Sequence, residues 1–348
     1  MNKLWKRGLT VLAAGAMSVS VAACGNTSAN SGKENLVICT WGGALEDGIK
    51  AAAKGFEKKY NCKITWDSYT DYSKIQTMVN NDNVTWDVAT LDSYWTYAGA
   101  KYLEDIDYDI VDKTGIEDYT SKKGVGAYTF ATVIAYNTSK YNSQTSPQTW
   151  ADFFNTDKYP GKRTFYKNPI HLFEEALLAD GVAPEDLYPI DIDRALNKLD
   201  TVKDSVSVWW ESGSEPAQLL SSNEVDLASA WSGRIQDAKD EGEAVDYNYN
   251  QALCITDNWG IIKGTKHKKL ANEFINYVTR PKAQARFAKT VSYGPVNQGA
   301  YQYLDDATIR KIPSSDYYKD QVVWFNPEWW AKNYDKANEK FQNWLLED

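Results

Sequence analysis

Short apolar, β-branched runs alternating with stretches of helical periodicity limit this chain to few architectures. Leu36-Val37-Ile38-Cys39-Thr40 reads as a buried strand. Residues 46–60 follow with Ile49, Ala52, Ala53 and Phe56 on one helical face, and Cys62-Lys63-Ile64-Thr65-Trp66 reads as the next strand. A helix over Tyr72–Asn80 and a strand over residues 86–90 repeat the unit. Alternation of this kind predicts an α/β fold, a mainly parallel sheet flanked by helices. Ligands of such sheets sit off the carboxyl ends of the strands, here Trp41-Gly42-Gly43 and Asp92-Ser93-Tyr94-Trp95. A second series follows, with helices over residues 172–180 and 191–202. In it the strand Val206–Trp210 runs into Glu211-Ser212-Gly213-Ser214, and residues 226–231 run into Ser232-Gly233-Arg234. Residues 133–137 and 256–262 read as two segments that cross between the two series.

The amino terminus concerns location. Lys3, Lys6 and Arg7 precede an apolar run from Gly8 to Val21, which ends in Val21-Ala22-Ala23-Cys24-Gly25. A basic head, a short apolar middle and small residues before a cut site read as an export signal over residues 1–23. The run is too short to span a bilayer stably. Its ending resembles the bacterial lipobox, which implies a lipid on Cys24 that tethers the mature chain to the membrane. An ordinary signal peptide with an incidental cysteine is the alternative. Residues 24–34 are then the lipidated cysteine and a flexible polar linker.

Composition removes several function classes. The formal net charge of −9 argues against nucleic acid, which calls for clustered Lys and Arg. Beyond Cys24, Cys39, Cys62 and Cys254 are widely spaced with no C-x-x-C pair, so neither a zinc nor a redox motif is indicated and buried free thiols are expected. There are two histidines, and no nucleophile elbow, H-E-x-x-H, Walker loop or Rossmann glycine pattern, so no cofactor is implied. A carboxylate-only hydrolase stays open. Fourteen Trp and 23 Tyr are an unusual excess, suited to a pocket that holds its ligand with ring faces.

The ordered motifs resemble the bacterial extracellular solute-binding proteins of ABC importers, in the branch related to spermidine/putrescine receptors. They are Thr40-Trp41-Gly42, Val133-Ile134-Ala135-Tyr136-Asn137, Thr149-Trp150-Ala151-Asp152-Phe153, Tyr159-Pro160-Gly161-Lys162-Arg163, Ala230-Trp231-Ser232-Gly233-Arg234 and Tyr293-Gly294-Pro295-Val296-Asn297. The resemblance implies a two-lobed, periplasmic-binding-protein-like (type II) α/β fold. Its lobes would be residues 35–137 with 257–303, and residues 138–256 with 304–348, joined by a hinge of two crossing segments. It further implies a monomer that captures a small amine in the cleft, catalyses nothing, and passes its ligand to an ABC permease with ATPase subunits.

Pocket positions carried over by the resemblance are Trp41, Tyr94, Trp231, Asp257, Tyr293 and Trp330, with Gly42 and Asp92 at the strand ends. Polyamine binders surround amines with carboxylates and rings, and this chain departs from them. Gly43, Asn168 and His171 stand where those relatives carry acids. Arg234 follows Trp231 with a fixed charge that would repel a polycation and suits a carboxylate. Asp257 and Arg234 together describe a zwitterion site, similar to the family branch that recognises γ-aminobutyrate. A polyamine or a sugar remains the alternative. Several bland readings also stand: Arg234 paired with Asp237, Asp257 as a turn cap, His171 on a helix surface, Trp330 as packing. Ser214 either helps bind an anion or caps a helix.

Overall fold

The computed structural model describes residues 33–347. Cys24 and the expected export signal lie outside the described residues. Nine strands are present among the described residues: β1 (Asn35–Thr40), β2 (Lys63–Ser68), β3 (Val88–Asp92), β4 (Val125–Asn137), β5 (Arg163–Tyr166), β6 (Val206–Trp210), β7 (Leu227–Trp231), β8 (Val245–Ile261) and β9 (Val323–Trp324). They form one sheet in the order β2-β1-β3-β8-β4-β7-β5-β6, with β9 attached to β8.

Two parallel triplets, β2-β1-β3 and β7-β5-β6, flank a central antiparallel pair. That pair, β8 and β4, joins the triplets because both strands are long. The thirteen residues of β4 extend roughly 40 Å. Every residue of β4 is buried, as expected for a strand covered on both faces. The first part of β4 lies against Asp257 and Thr256 of β8, whereas Thr132 to Tyr136 pair with β7. β4 stays paired with β8 from Val125 to Asn137, and its other edge takes up β7 only from Thr132. At that level the ladder slips, since Thr132 faces Leu253 but Ile134 faces Asn248. Gln251, in the gap, has a left-handed φ of 54°. Its backbone carbonyl accepts from Trp150 Nε1 at 2.9 Å, and its side chain accepts from the Trp150 amide at 3.0 Å.

A third strand meets the crossover: β9 pairs with Leu253 and Cys254. Two residues carry no periodicity, so this strand was not foreseen.

Local chemistry explains most element ends. Asp71 caps the helix Tyr72–Asn80 by accepting from the Lys74 amide, and Thr149 caps Trp150–Phe154 through Asp152. The single helix expected over residues 46–60 is two, Gly43–Ala52 and Phe56–Tyr60, because Gly55 takes φ 94° and breaks the run. Pro169–Ala179 is kinked at Ile170 and His171, so regular helix starts at Leu172 as the periodicity suggested. Cys39, Cys62 and Cys254 are all buried, and Cys39 and Cys254 are free thiols.

Candidate ligand-binding site

Three neighbouring strands set the chemistry. Asp92 of β3 lies directly opposite Asp257 of β8, and Asp257 lies directly opposite Tyr128 of β4. Opposed residues project to the same face of a sheet, so two carboxylates and a phenol share one face. Tyr128 Oη donates to Asp257 Oδ2 at 2.6 Å, and Trp41 Nε1 donates to the same oxygen at 2.8 Å. The other oxygen, Oδ1, is buried without a partner among the described residues. Tyr72 Oη donates to Asp92 Oδ2 at 2.5 Å. Burial, and then the neighbouring charge of Asp92, hold the Asp257 carboxyl well above the usual carboxylate range. Burial likewise raises Asp92. Two adjacent acids with no cation beside them call for one.

Aromatic rings enclose this pair. Trp41 meets Tyr72 edge-on at 6.2 Å, and Tyr72 meets Tyr94 at 6.5 Å. On the other side Tyr128 stacks on Tyr293 at 5.7 Å, Tyr293 on Phe130 at 5.5 Å, and Phe130 meets Trp231 at 6.0 Å. Trp231 in turn contacts Trp210 and Tyr166. Trp41, Asp92, Tyr94, Tyr166, Trp210 and Trp231 all lie at or just beyond the carboxyl ends of parallel strands of the two triplets, where α/β sheets bind ligands.

Arg234 and Tyr293 line one small cavity, together with Asp237. Arg234 lies in the first turn of the helix Ser232–Asp240, directly after β7. Its charge and that of Asp257 both act on Tyr293, whose hydroxyl burial pushes up to about 12. Gly42 and Gly43, with φ of 74° and 61°, form a left-handed turn after β1. A Cβ at Gly43 would sit 3.7 Å from Arg234 Nη2. The guanidinium thus reaches the glycine turn after β1. Its Nε is buried without a partner among the described residues, while burial raises the Asp237 carboxyl against the downward pull of the Arg234 charge. Tyr293 is locked from below: a Cβ at Gly233 would fall 2.0 Å from Tyr293 Cε1. Gly233→Ala is therefore expected to destabilise the fold by about 1–3 kcal/mol, measured as a lower urea midpoint. An unchanged midpoint would show the ring free to move.

Four of the expected site residues lie elsewhere or play another part. Trp330 is fully buried and donates Nε1 to Glu174 Oε1 at 2.6 Å, so it is packing of the C-terminal helix Pro327–Leu346. His171 is buried, not on a helix surface, and its Nδ1 lies 2.6 Å from Thr132 Oγ1 at the slip in β4. Burial pushes its imidazole down to about 3, leaving it neutral. Ser214 is exposed, makes no cap and pairs with Ser212 Oγ at 3.3 Å. Asn168 caps the helix it precedes, and its Nδ2 donates to Tyr334 Oη at 3.4 Å, at the rim of the ring cluster. Sequence reasoning missed Tyr72, Tyr128 and Tyr334. Register marks Tyr128 only once strand partners are known, while Tyr334 lies on a helix distant in sequence.

Comparison with known proteins places the family and the fold. Residues 51–314 match the family of bacterial extracellular solute-binding proteins. A γ-aminobutyric acid-binding protein of Pseudomonas aeruginosa is 30% identical over 331 residues, covering 91% of this chain and 92% of the relative. The spermidine/putrescine-binding periplasmic protein 1 of Haemophilus influenzae is 22% identical over 347 residues, covering 90% and 93%. A solved GABA receptor superposes with a TM-score of 0.84 at 35% identity, covering 90% of this chain and 98% of that one. The chain belongs to the bacterial extracellular solute-binding proteins, and its two parallel triplets joined by β4 and β8 are the two-lobed α/β type II fold of periplasmic binding proteins.

Proposed function

We propose that the protein captures a small zwitterionic amino-carboxylate, of the γ-aminobutyrate kind, between its two lobes. One observation carries the reading. Asp257 Oδ1 and Arg234 Nε are both buried without a partner among the described residues, and both side chains lie near enough to Tyr293 for their charges to act on its hydroxyl. An ammonium satisfies the first and gains about 0.5–2 kcal/mol from each desolvated ring face it meets. A carboxylate satisfies the second through the guanidinium fork, assisted by the first turn of Gly43–Ala52 beside it. A diamine would put a second cation against Arg234, and a sugar would bring no charge to either group.

Capture by closure follows from where the two groups are mounted. Asp257 is on β8 beside the first triplet, and Arg234 follows β7 of the second. A ligand that touches both favours the closed form, with the slip near Thr132 and Leu253 as the hinge. Such a receptor would serve an ABC importer, handing its solute unchanged to the permease. A lipid on Cys24 would hold it near that permease and raise the effective concentration of the captured solute.

The test is thermal unfolding against γ-aminobutyrate, other amino acids, putrescine, spermidine and sugars. A ligand at a hundred times its Kd stabilises the folded state by about 2.7 kcal/mol, so the midpoint should climb with γ-aminobutyrate concentration. Strong stabilisation by putrescine with none by any carboxylated amine would sink the zwitterion reading.

A further inference from the structure

The C-terminal helix brings one side chain to the cluster that the proposed function does not use. Tyr334 stacks on Tyr94 with ring centroids 5.3 Å apart and an interplanar angle of 24°. Tyr94 directly follows the first triplet, whereas Asn168, which bonds the Tyr334 hydroxyl, follows β5 of the second. Tyr334 therefore bridges the two lobes. Its placement is rigid: Asn326 caps the helix, and Trp330, one turn earlier on the same face, is fixed to Glu174. Burial raises the hydroxyls of Tyr94, Tyr166 and Tyr334, and the charge of Asp92 adds to the rise in each. Tyr72, bonded to Asp92, meets the Tyr94 ring edge-on at 6.5 Å, so the Tyr94–Tyr334 stack stands next to the carboxylate that faces Asp257.

We propose that Tyr334, stacked on Tyr94 beside Asp92, is the residue that sets the maximum length of the ligand. The inference rests on the amino-carboxylate reading for which end of the ligand meets this wall. The amine lies against Asp257 and Asp92, and the phenol pair closes the space behind it. Arg234 holds the other end. A longer chain cannot extend past the amine without parting two stacked rings, and it cannot slide the other way without losing the guanidinium. Asn168 holds the Tyr334 hydroxyl, and His171 is turned to the crossover.

Isothermal titration with two homologous series decides the matter. The first runs from 3-aminopropanoate to 6-aminohexanoate, the second from 1,3-diaminopropane to 1,6-diaminohexane. In the unaltered protein each methylene beyond the best fit should cost about tenfold in affinity or more. Tyr334→Ala should flatten that fall, with the longest ligand gaining at least about tenfold relative to the best wild-type ligand. Tyr334→Phe keeps the ring and should keep the wild-type profile. Should the alanine variant not fold, Tyr334→Leu retains apolar contact with a shorter reach and should flatten the fall in part. A variant that melts normally yet keeps the wild-type length profile overturns the inference. If only the diamines bind, the amino-carboxylate reading fails, and the diamine profile then decides the wall by the same comparison. If neither series binds, both fall.

Discussion

Arg234→Ala is expected to weaken a carboxylated amine by about 2–5 kcal/mol, the usual result of truncating one partner of a buried, hydrogen-bonded charge pair. That is a loss of roughly thirty-fold to several thousand-fold in Kd. The physical cause is the ligand carboxylate, which would be left desolvated with no fork to receive it. A plain diamine should bind the variant as well as before or better, because a fixed cation beside Gly43 is gone. Arg234→Lys should fall between the two, keeping the charge and losing the bidentate geometry. Titration calorimetry with one ligand of each kind measures all three. Unchanged affinity for the carboxylated ligand in Arg234→Ala would place this side chain outside the site.

The second large effect concerns the acid at the other end. Asp257→Asn should cost an ammonium ligand about 2–5 kcal/mol while leaving the ligand-free protein no less stable. Burial and the charge of Asp92 already oppose ionisation of Asp257, so an amide that cannot ionise relieves both. The folded state binds this proton more tightly than the unfolded chain. The contribution to stability is therefore fully present below the ordinary aspartate value of 3.8 and is lost as pH rises through the raised one. Glu174 and Glu175, pushed up to about 7 and about 8 by burial, act in the same direction. The difference between wild type and Asp257→Asn in unfolding midpoint against pH isolates the Asp257 share. Binding has the opposite sign. An ammonium prefers the ionised acid, so capture expels a proton, and affinity should rise with pH by up to about tenfold per unit. In Asp257→Asn this rise should shrink or vanish. A wild-type affinity that falls as pH rises would show that the amine does not sit on Asp257.

Strand ends account for what could be read in advance. Trp41, Asp92, Tyr94, Trp231 and Arg234 each follow a recognisable strand within a residue or a few, and the carboxyl end of a parallel strand is a local feature. Asp257 and Tyr293 came from the family resemblance, and the structure brings both to the same ring cluster. Trp330 shows the limit of that reasoning. An aromatic residue on an amphipathic helix is placed by whatever the helix packs on, and here Glu174 takes Trp330 into the core while Tyr334 reaches the cleft. His171 failed for a related reason. Its backbone turns left-handed at a kink that no periodicity announces, which directs the ring to Thr132.

Apolar alternation, glycine turns and caps act over a few residues, so the sequence by itself determined two series of alternating strands and helices and the strand ends that could hold a ligand. Which of those ends meet was decided only by the tertiary structure. The register of β8 against both β3 and β4 puts Asp257 opposite Asp92 and Tyr128. The long β4–β8 ladder brings Arg234 up to Gly43, and a helix near the chain end adds Tyr334. These contacts span from tens to more than two hundred residues of chain. Burial and hydrogen bonding in the assembled fold set them, and no local pattern encodes a partner so far away.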